Sequence, residues 1–169
     1  MQFRSLRTVL PLLALLAGLS ACSTSPPTPT DSAPTPVVGQ PPQPEPGSEV
    51  TIFALGLLDT GYRFGGKNPD AGLDCSGMVS YIYERAAGMR LRGSAADIAR
   101  QGRSIEAAKL RPGDLVFFNT RNKPFARVVG YSGGQRCVHA PASNGRVRID
   151  SLSARYYAQR FEAARTYFD

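Results

Sequence analysis

Between Ser23 and Ser48 stand nine of the chain's fourteen prolines, set among Thr, Ser and Gln. Proline fixes one backbone dihedral and removes a donor, so such a run is biased toward extended polyproline geometry. Its few apolar side chains bury too little surface to offset the entropy of ordering it. The run reads as a semi-stiff tether over residues 22–48, which confines a globular core to 49–169. A core of about 120 residues is large enough to fold alone. No internal repeat is visible.

Upstream, Arg4 and Arg7 precede an apolar stretch from Val9 to Gly18, interrupted only by Pro11, and Leu19-Ser20-Ala21-Cys22 follows. A short apolar stretch behind a basic start is the form of a secretory leader, here 1–21, and not of a spanning helix. Leu-Ser-Ala-Cys resembles a bacterial lipobox. The resemblance implies that Cys22 carries lipid, palmitate included, and becomes the first residue of the mature chain, anchored without a transmembrane helix. Ser23 follows it, where an Asp would imply retention at the inner membrane of a Gram-negative cell. The expectation is an exported lipoprotein at the outer membrane, facing the periplasm.

With Cys22 acylated, Cys75 and Cys137 remain, and two thiols make no disulfide framework. The formal charge of +7 falls by two when Arg4 and Arg7 leave with the leader. A mildly basic exported protein suits an anionic wall or membrane surface. The cations are scattered, with no Lys/Arg run and no basic stripe studded with aromatics, so nucleic acid is not an expected partner. One histidine and two thiols are too few for a zinc site, and no cofactor is implied. Nothing in the sequence speaks to oligomeric state.

Order is expected to begin near Glu49. Val50, Phe53, Ala54, Leu57 and Leu58 fall at helical spacing, with Ser48 as a cap and Gly61 as a stop. Asp74 reads as the N-cap of a second helix reaching about Ala87, with Val79, Ile82, Tyr83 and Ala86 as its buried stripe. Ser94 with Asp97 three residues on predicts a short capped helix. The pattern then turns to strands over 114–118, 128–132, 136–140 and 146–149, separated by turns bearing Gly, Asn and Pro. Helices first and an antiparallel sheet afterwards is an α+β order.

The chemistry concentrates in Tyr62-Arg63-Phe64-Gly65-Gly66 and in Leu73-Asp74-Cys75-Ser76-Gly77-Met78-Val79. A Cys at the first helical position, behind an Asp cap, sits among unpaired N–H groups at the positive end of the helix. That arrangement is expected to lower its pKa and supply thiolate. Gly77 is expected to keep the approach open while Met78 and Val79 turn inward. A lone cysteine is otherwise most often a small buried residue.

Tyr-x-Phe-Gly-Gly and Asp-Cys-Ser-Gly are followed by Leu110-Arg111-Pro112-Gly113-Asp114-Leu115-Val116-Phe117-Phe118, then Val138-His139-Ala140-Pro141, then Ala163-Ala164-Arg165. In that order they resemble the NlpC family of papain-like cell-wall cysteine peptidases, over roughly Val50 to the C-terminus. The resemblance implies a papain-like α+β fold with N-terminal helices packed on a small antiparallel sheet. By the same match Cys75 is the nucleophile, His139 the residue that orients the base, and Tyr62 a neighbour of the thiol, with Asp74 and Ser76 beside it. The implied activity is hydrolysis of peptidoglycan stem peptides at the amide between D-glutamate and a diamino acid.

The chain departs from the family at the base. Where the family reads Ser-His-Val-Gly-Ile-Tyr, this chain reads Ala126-Arg127-Val128-Val129-Gly130-Tyr131, so Arg127 occupies the base position. A guanidinium stays protonated and accepts no proton from a thiol, and His139 is the only histidine. Three readings stand: a non-catalytic relative that grips wall peptides as a binding or scaffolding lipoprotein; His139 acting directly on Cys75 with Arg127 stabilising thiolate; or a locally aberrant sequence. Cys137, on the face of His139 by strand alternation, reads as buried packing.

Overall fold

The computed structural model describes residues 45–120, 122–142 and 145–169. The leader, Cys22 and the tether up to residue 44 lie outside the described residues. In chain order the elements are α1 (Pro46–Leu55), β1 (Lys67–Asn68), β2 (Gly72–Leu73), α2 (Cys75–Ala87), α3 (Ala95–Gln101), β3 (Arg103–Ile105), β4 (Leu115–Thr120), β5 (Lys123–Gly133), β6 (Arg136–His139), β7 (Arg148–Ser151), α4 (Arg155–Ala158) and β8 (Phe161–Thr166). Helices precede most of an antiparallel sheet, the α+β arrangement expected.

The first helix begins earlier than its apolar spacing implies. Glu45 is its N-cap and Pro46 opens its first turn, where proline's missing N–H costs nothing. Ser48 is therefore inside the helix and caps nothing, and Gly56, not Gly61, ends it. Residues 46–48 thus belong to α1 and not to the tether. Gly47 is buried against Pro112 and Gly113, where a Cβ on either glycine would collide with the facing backbone. Val50, Ala54 and Leu57 enter the core as their spacing predicts, while Leu58 stays exposed.

Helix α2 follows its sequence closely. Asp74 caps it and Gly88, left-handed at φ 65°, ends it. Met78, Val79, Ile82 and Tyr83 are buried, whereas Ala86 is only partly so. Helix α3 carries the capping box, Ser94 Oγ accepting from the Asp97 amide and the Asp97 carboxylate accepting from the Ser94 amide.

The sheet has six strands in the order β3-β8-β4-β5-β6-β7, every neighbouring pair antiparallel. Alternation along its strands splits the core in two. Leu115, Phe117, Val128, Val138 and Ala140 face the helices and join Val50, Met78, Ile82 and Ile98. Val116, Phe118, Val129 and Cys137 face the other way and meet Tyr157 of α4, whose ring lies 5.1 Å from that of Phe118. Each fully buried Val, Leu or Phe contributes about 1.5–3 kcal/mol to this framework. The expected strand at 146–149 lies slightly later, at Arg148–Ser151, and Arg146 instead bridges Gly61.

Candidate active site

Cys75 opens α2, and the carboxylate of Asp74 organises the turn beneath it. Asp74 Oδ1 accepts from the Gly77 amide at 2.6 Å and from Ser76 Oγ at 3.0 Å, and Oδ2 accepts from the Gly65 amide at 2.9 Å. Asp74 and Ser76 are thus committed to fixing the helix end and the loop before it. Gly77 has a different role from the one expected. A Cβ there would lie inside the radius of the Gly66 carbonyl oxygen, so the glycine lets that carbonyl close onto the first turn. Tyr62 is half-buried against the helix-side core. Its amide donates to the Gly145 carbonyl at 2.9 Å, and it forms a parallel bridge with Leu73, on the strand that leads into Cys75.

The Cys75 sulfur accepts backbone N–H groups from Val128, on β5, and from Ser76. Its thiol nonetheless ionises above its ordinary range, contrary to expectation. Burial is the main cause and the Asp74 carboxylate adds to it, together outweighing the Val128 amide, the Arg127 charge and the Ser76 amide. At neutral pH the thiol is protonated.

Arg127, on β5 opposite Phe118, is half-buried. One terminal nitrogen donates to the Ala140 carbonyl at 3.3 Å, and its Nε is buried without a partner. Its charge acts on both Cys75 and His139, lowering the pKa of each.

His139 ends β6 and is buried. Its Nε2 lies 2.8 Å from Asp150 Oδ2 and 3.1 Å from the Tyr157 hydroxyl, which itself donates to Asp150 Oδ2 at 2.9 Å. Arg148 closes the cluster, its Nε and one terminal nitrogen each 3.1 Å from an Asp150 oxygen. The carboxylate assigns the proton to Nε2 and leaves Nδ1 a bare acceptor; Nδ1 is buried with no partner. Burial, with the Arg127 and Arg148 charges, holds the ring neutral against the pull of Asp150. Although burial opposes it, the carboxyl of Asp150 is kept below its usual range by bonds from Arg148, Tyr157 and His139.

The sequence reading missed Asp150, Tyr157 and Arg148. Asp150 was accessible in principle: it pairs with Cys137 across β6 and β7, so alternation sets it on the face of His139. Cys137 is buried, its Sγ donating to the Asp150 carbonyl at 3.5 Å, and burial pushes its thiol up to about 12. Both Cys75 and Cys137 are free.

Alternation places Arg127 and His139 on the strand face of Val129 and Cys137, and from there the Arg127 charge still acts on Cys75 at the start of α2. There, with Asp150 and Tyr157, they line a cleft of about 410 Å³. Among the described residues no hydrogen bond joins His139 to Cys75. The arrangement is a half-buried thiol at a helix end, an imidazole oriented by a carboxylate, and a guanidinium whose charge reaches both.

The sequence and the fold match known proteins. A model described as the NlpC/P60 family matches residues 59–166. Murein DD-endopeptidase MepH of Escherichia coli (strain K12) is 36% identical over 107 residues, which are 62% of this chain and 40% of that protein. Gamma-DL-glutamyl hydrolase of Bacillus subtilis (strain 168) is 34% identical over 115 residues, 68% of this chain and 26% of that one. The chain thus spans less than half the length of either relative. Among solved structures, the NlpC/p60 domain of the peptidoglycan hydrolase SagA superposes with a TM-score of 0.62 at 28% identity, covering 71% of this chain and 97% of that one. A lipoprotein-like NLP/P60 family protein from Staphylococcus aureus subsp. aureus Mu50 gives 0.66 at 28% identity, covering 83% and 45%. With its ordered motifs, its papain-like α+β fold and these matches, the chain belongs to the NlpC/P60 family.

Proposed function

We propose that the domain takes peptidoglycan stem peptides at Cys75 and cleaves them as a cysteine peptidase whose rate is limited by Arg127. The bond is the amide between D-glutamate and a diamino acid, a reading supported by the likeness to a gamma-DL-glutamyl hydrolase; the likeness to a murein DD-endopeptidase supports wall peptides as the substrate class. The small thiolate fraction of Cys75 attacks the carbonyl, the C–N bond breaks, and the diamino acid leaves as an amine that takes its proton from water. A second water then hydrolyses the acyl-enzyme and frees Cys75, while backbone N–H groups at the helix end stabilise the oxyanion. One observation carries the rate limit: Arg127 holds the base position beside a thiol that burial keeps protonated. The test is digestion of purified wall by the chain and by Cys75→Ala, with new peptide ends identified by mass spectrometry. Slow, Cys75-dependent release supports the proposal. Absence of new peptide ends with either protein supports the second reading, a wall-binding lipoprotein without hydrolysis, which the same Arg127 favours.

The chain is further proposed to be exported and lipid-anchored through Cys22, at the outer membrane facing the periplasm, on the strength of Leu19-Ser20-Ala21-Cys22 and Ser23. Metabolic labelling with a fatty acid is expected to tag the wild type and not Cys22→Ala; equal labelling of both rejects the anchor.

A further inference from the structure

The guanidinium of Arg127 has no counter-ion among the described residues. Its one protein acceptor is the neutral Ala140 carbonyl at 3.3 Å, and the nearby acidic groups are already engaged. Asp74 accepts from Gly65, Ser76 and Gly77. Asp150 accepts from His139, Arg148 and Tyr157. A half-buried charge with only a neutral acceptor is costly to hold, and structures relieve that cost with a partner of opposite charge. Two further buried atoms of the same cleft are complementary and unpartnered: Arg127 Nε is a donor, and His139 Nδ1, bare because Nε2 serves Asp150, is an acceptor. One terminal nitrogen of the guanidinium serves the Ala140 carbonyl, which leaves the other for a ligand.

We propose that the cleft of about 410 Å³ lined by Arg127, His139, Arg148, Tyr156 and Tyr157 binds a peptide carboxylate, with Arg127 as its counter-ion. A single uncompensated positive charge matches a monoanion, and a guanidinium edge matches the planar carboxylate in geometry. Arg148 is largely neutralised by Asp150 and so forms a polar wall, while the exposed Tyr156 covers the carbon next to the carboxylate. The position that serves as the base in the family thereby becomes a recognition element in this chain. Which peptide brings the carboxylate rests on the stem-peptide reading of Cys75 above.

Isothermal titration of the full chain tests this with paired probes: N-acetyl-D-alanine and its amide, a stem tetrapeptide and its C-terminal amide, and inorganic phosphate. Each free acid is expected to bind about tenfold or more tighter than its amide, the scale of one charge-assisted hydrogen bond. Arg127→Gln is expected to erase that preference and Arg127→Lys to keep part of it. Acid and amide binding alike to the wild type would overturn the carboxylate site without any mutant. Phosphate binding as tightly as the acids would also overturn it, making the cleft a general anion site. Tetrapeptide and amide binding equally well would leave the stem-peptide reading standing while ending this one. Preferential binding of N-acetyl-D-alanine with no tetrapeptide binding would do the reverse.

Discussion

Asp150 Oδ2 lies 2.8 Å from His139 Nε2, and the same oxygen accepts the Tyr157 hydroxyl at 2.9 Å. The pair fixes the tautomer of the only histidine in the chain, and its pH dependence follows. His139 has a folded pKa below its ordinary 6.5, so the unfolded chain binds more protons as pH falls through that value. Its contribution to stability is complete above 6.5 and is lost on acidification toward the depressed folded value. Asp150, also depressed, acts in the same direction at lower pH, being complete above its unfolded value and lost as pH falls through the folded one. Asp150→Asn is expected to cost about 1.5–3 kcal/mol at pH 7, the range for hydrogen bonds to a charged group. It should also remove the lowest-pH part of the acid transition. Chemical denaturation of both proteins from pH 2 to 8 checks this; superimposable pH profiles would show that Asp150 does not hold the ring.

The thiol of Cys75 makes a second, independent test of the site's electrostatics. Burial raises its pKa above the ordinary 9.0, and Arg127 only partly offsets this. Alkylation by iodoacetamide is therefore expected to be slow at pH 7 and to accelerate only above pH 9. Arg127→Gln should move that rise to still higher pH, because it removes a charge that favours thiolate. A fast reaction at pH 7, or a rise that moves to lower pH in the variant, would contradict the burial argument.

Gly77 offers a test of packing beneath the nucleophile. Its absent Cβ is where the Gly66 carbonyl oxygen sits, and both residues flank the Asp74 cap. Gly77→Ala gains helix propensity but forces this backbone apart, so the net effect is expected to be a loss of about 1–3 kcal/mol, the usual cost of overpacking. Thermal unfolding measures it. An unchanged or higher Tm would mean that the loop at Gly66 yields freely.

What the sequence disclosed is what local chemistry determines. Asp74 and Ser94 cap their helices because their side chains reach nearby amides, a contact set within three residues. Strands β4 and β5 are rich in Val and Phe and declare themselves by composition. By contrast β8, Phe161-Glu162-Ala163-Ala164-Arg165-Thr166, reads as easily as a helix, and it is a strand because β3 and β4 pair with it on both sides. At the site, Cys75, Arg127 and His139 stood out by motif. Asp150 and Tyr157 did not, because their meeting with His139 depends on the register of β6 with β7 and on the return of α4 over the sheet. The raised thiol pKa was hidden for the same reason: a helix end is visible in sequence, but the burial that overrides it comes from tertiary packing.

The decisive prediction concerns Arg127 itself. His139 already presents a bare Nδ1, held in place by Asp150 through Nε2. An imidazole introduced by Arg127→His would find that acceptor on one side, donate one N–H to it, and keep its second nitrogen free for the Cys75 proton. This is the general order of nucleophile, base and orienting group. Cys75→Ala is expected to abolish wall cleavage, while Arg127→His is expected to raise it by ~10²-fold, the lower end of what a positioned base contributes. Removing a half-buried cation that lacks a counter-ion should leave the fold intact, which circular dichroism and thermal unfolding of the variant would establish first. Release of wall peptides over time, with wild type, each single variant and the pair compared, gives the rates. If the wild type cleaves robustly and Arg127→His leaves that rate unchanged or lowers it, Arg127 is not the limit, and another group is already taking the thiol proton.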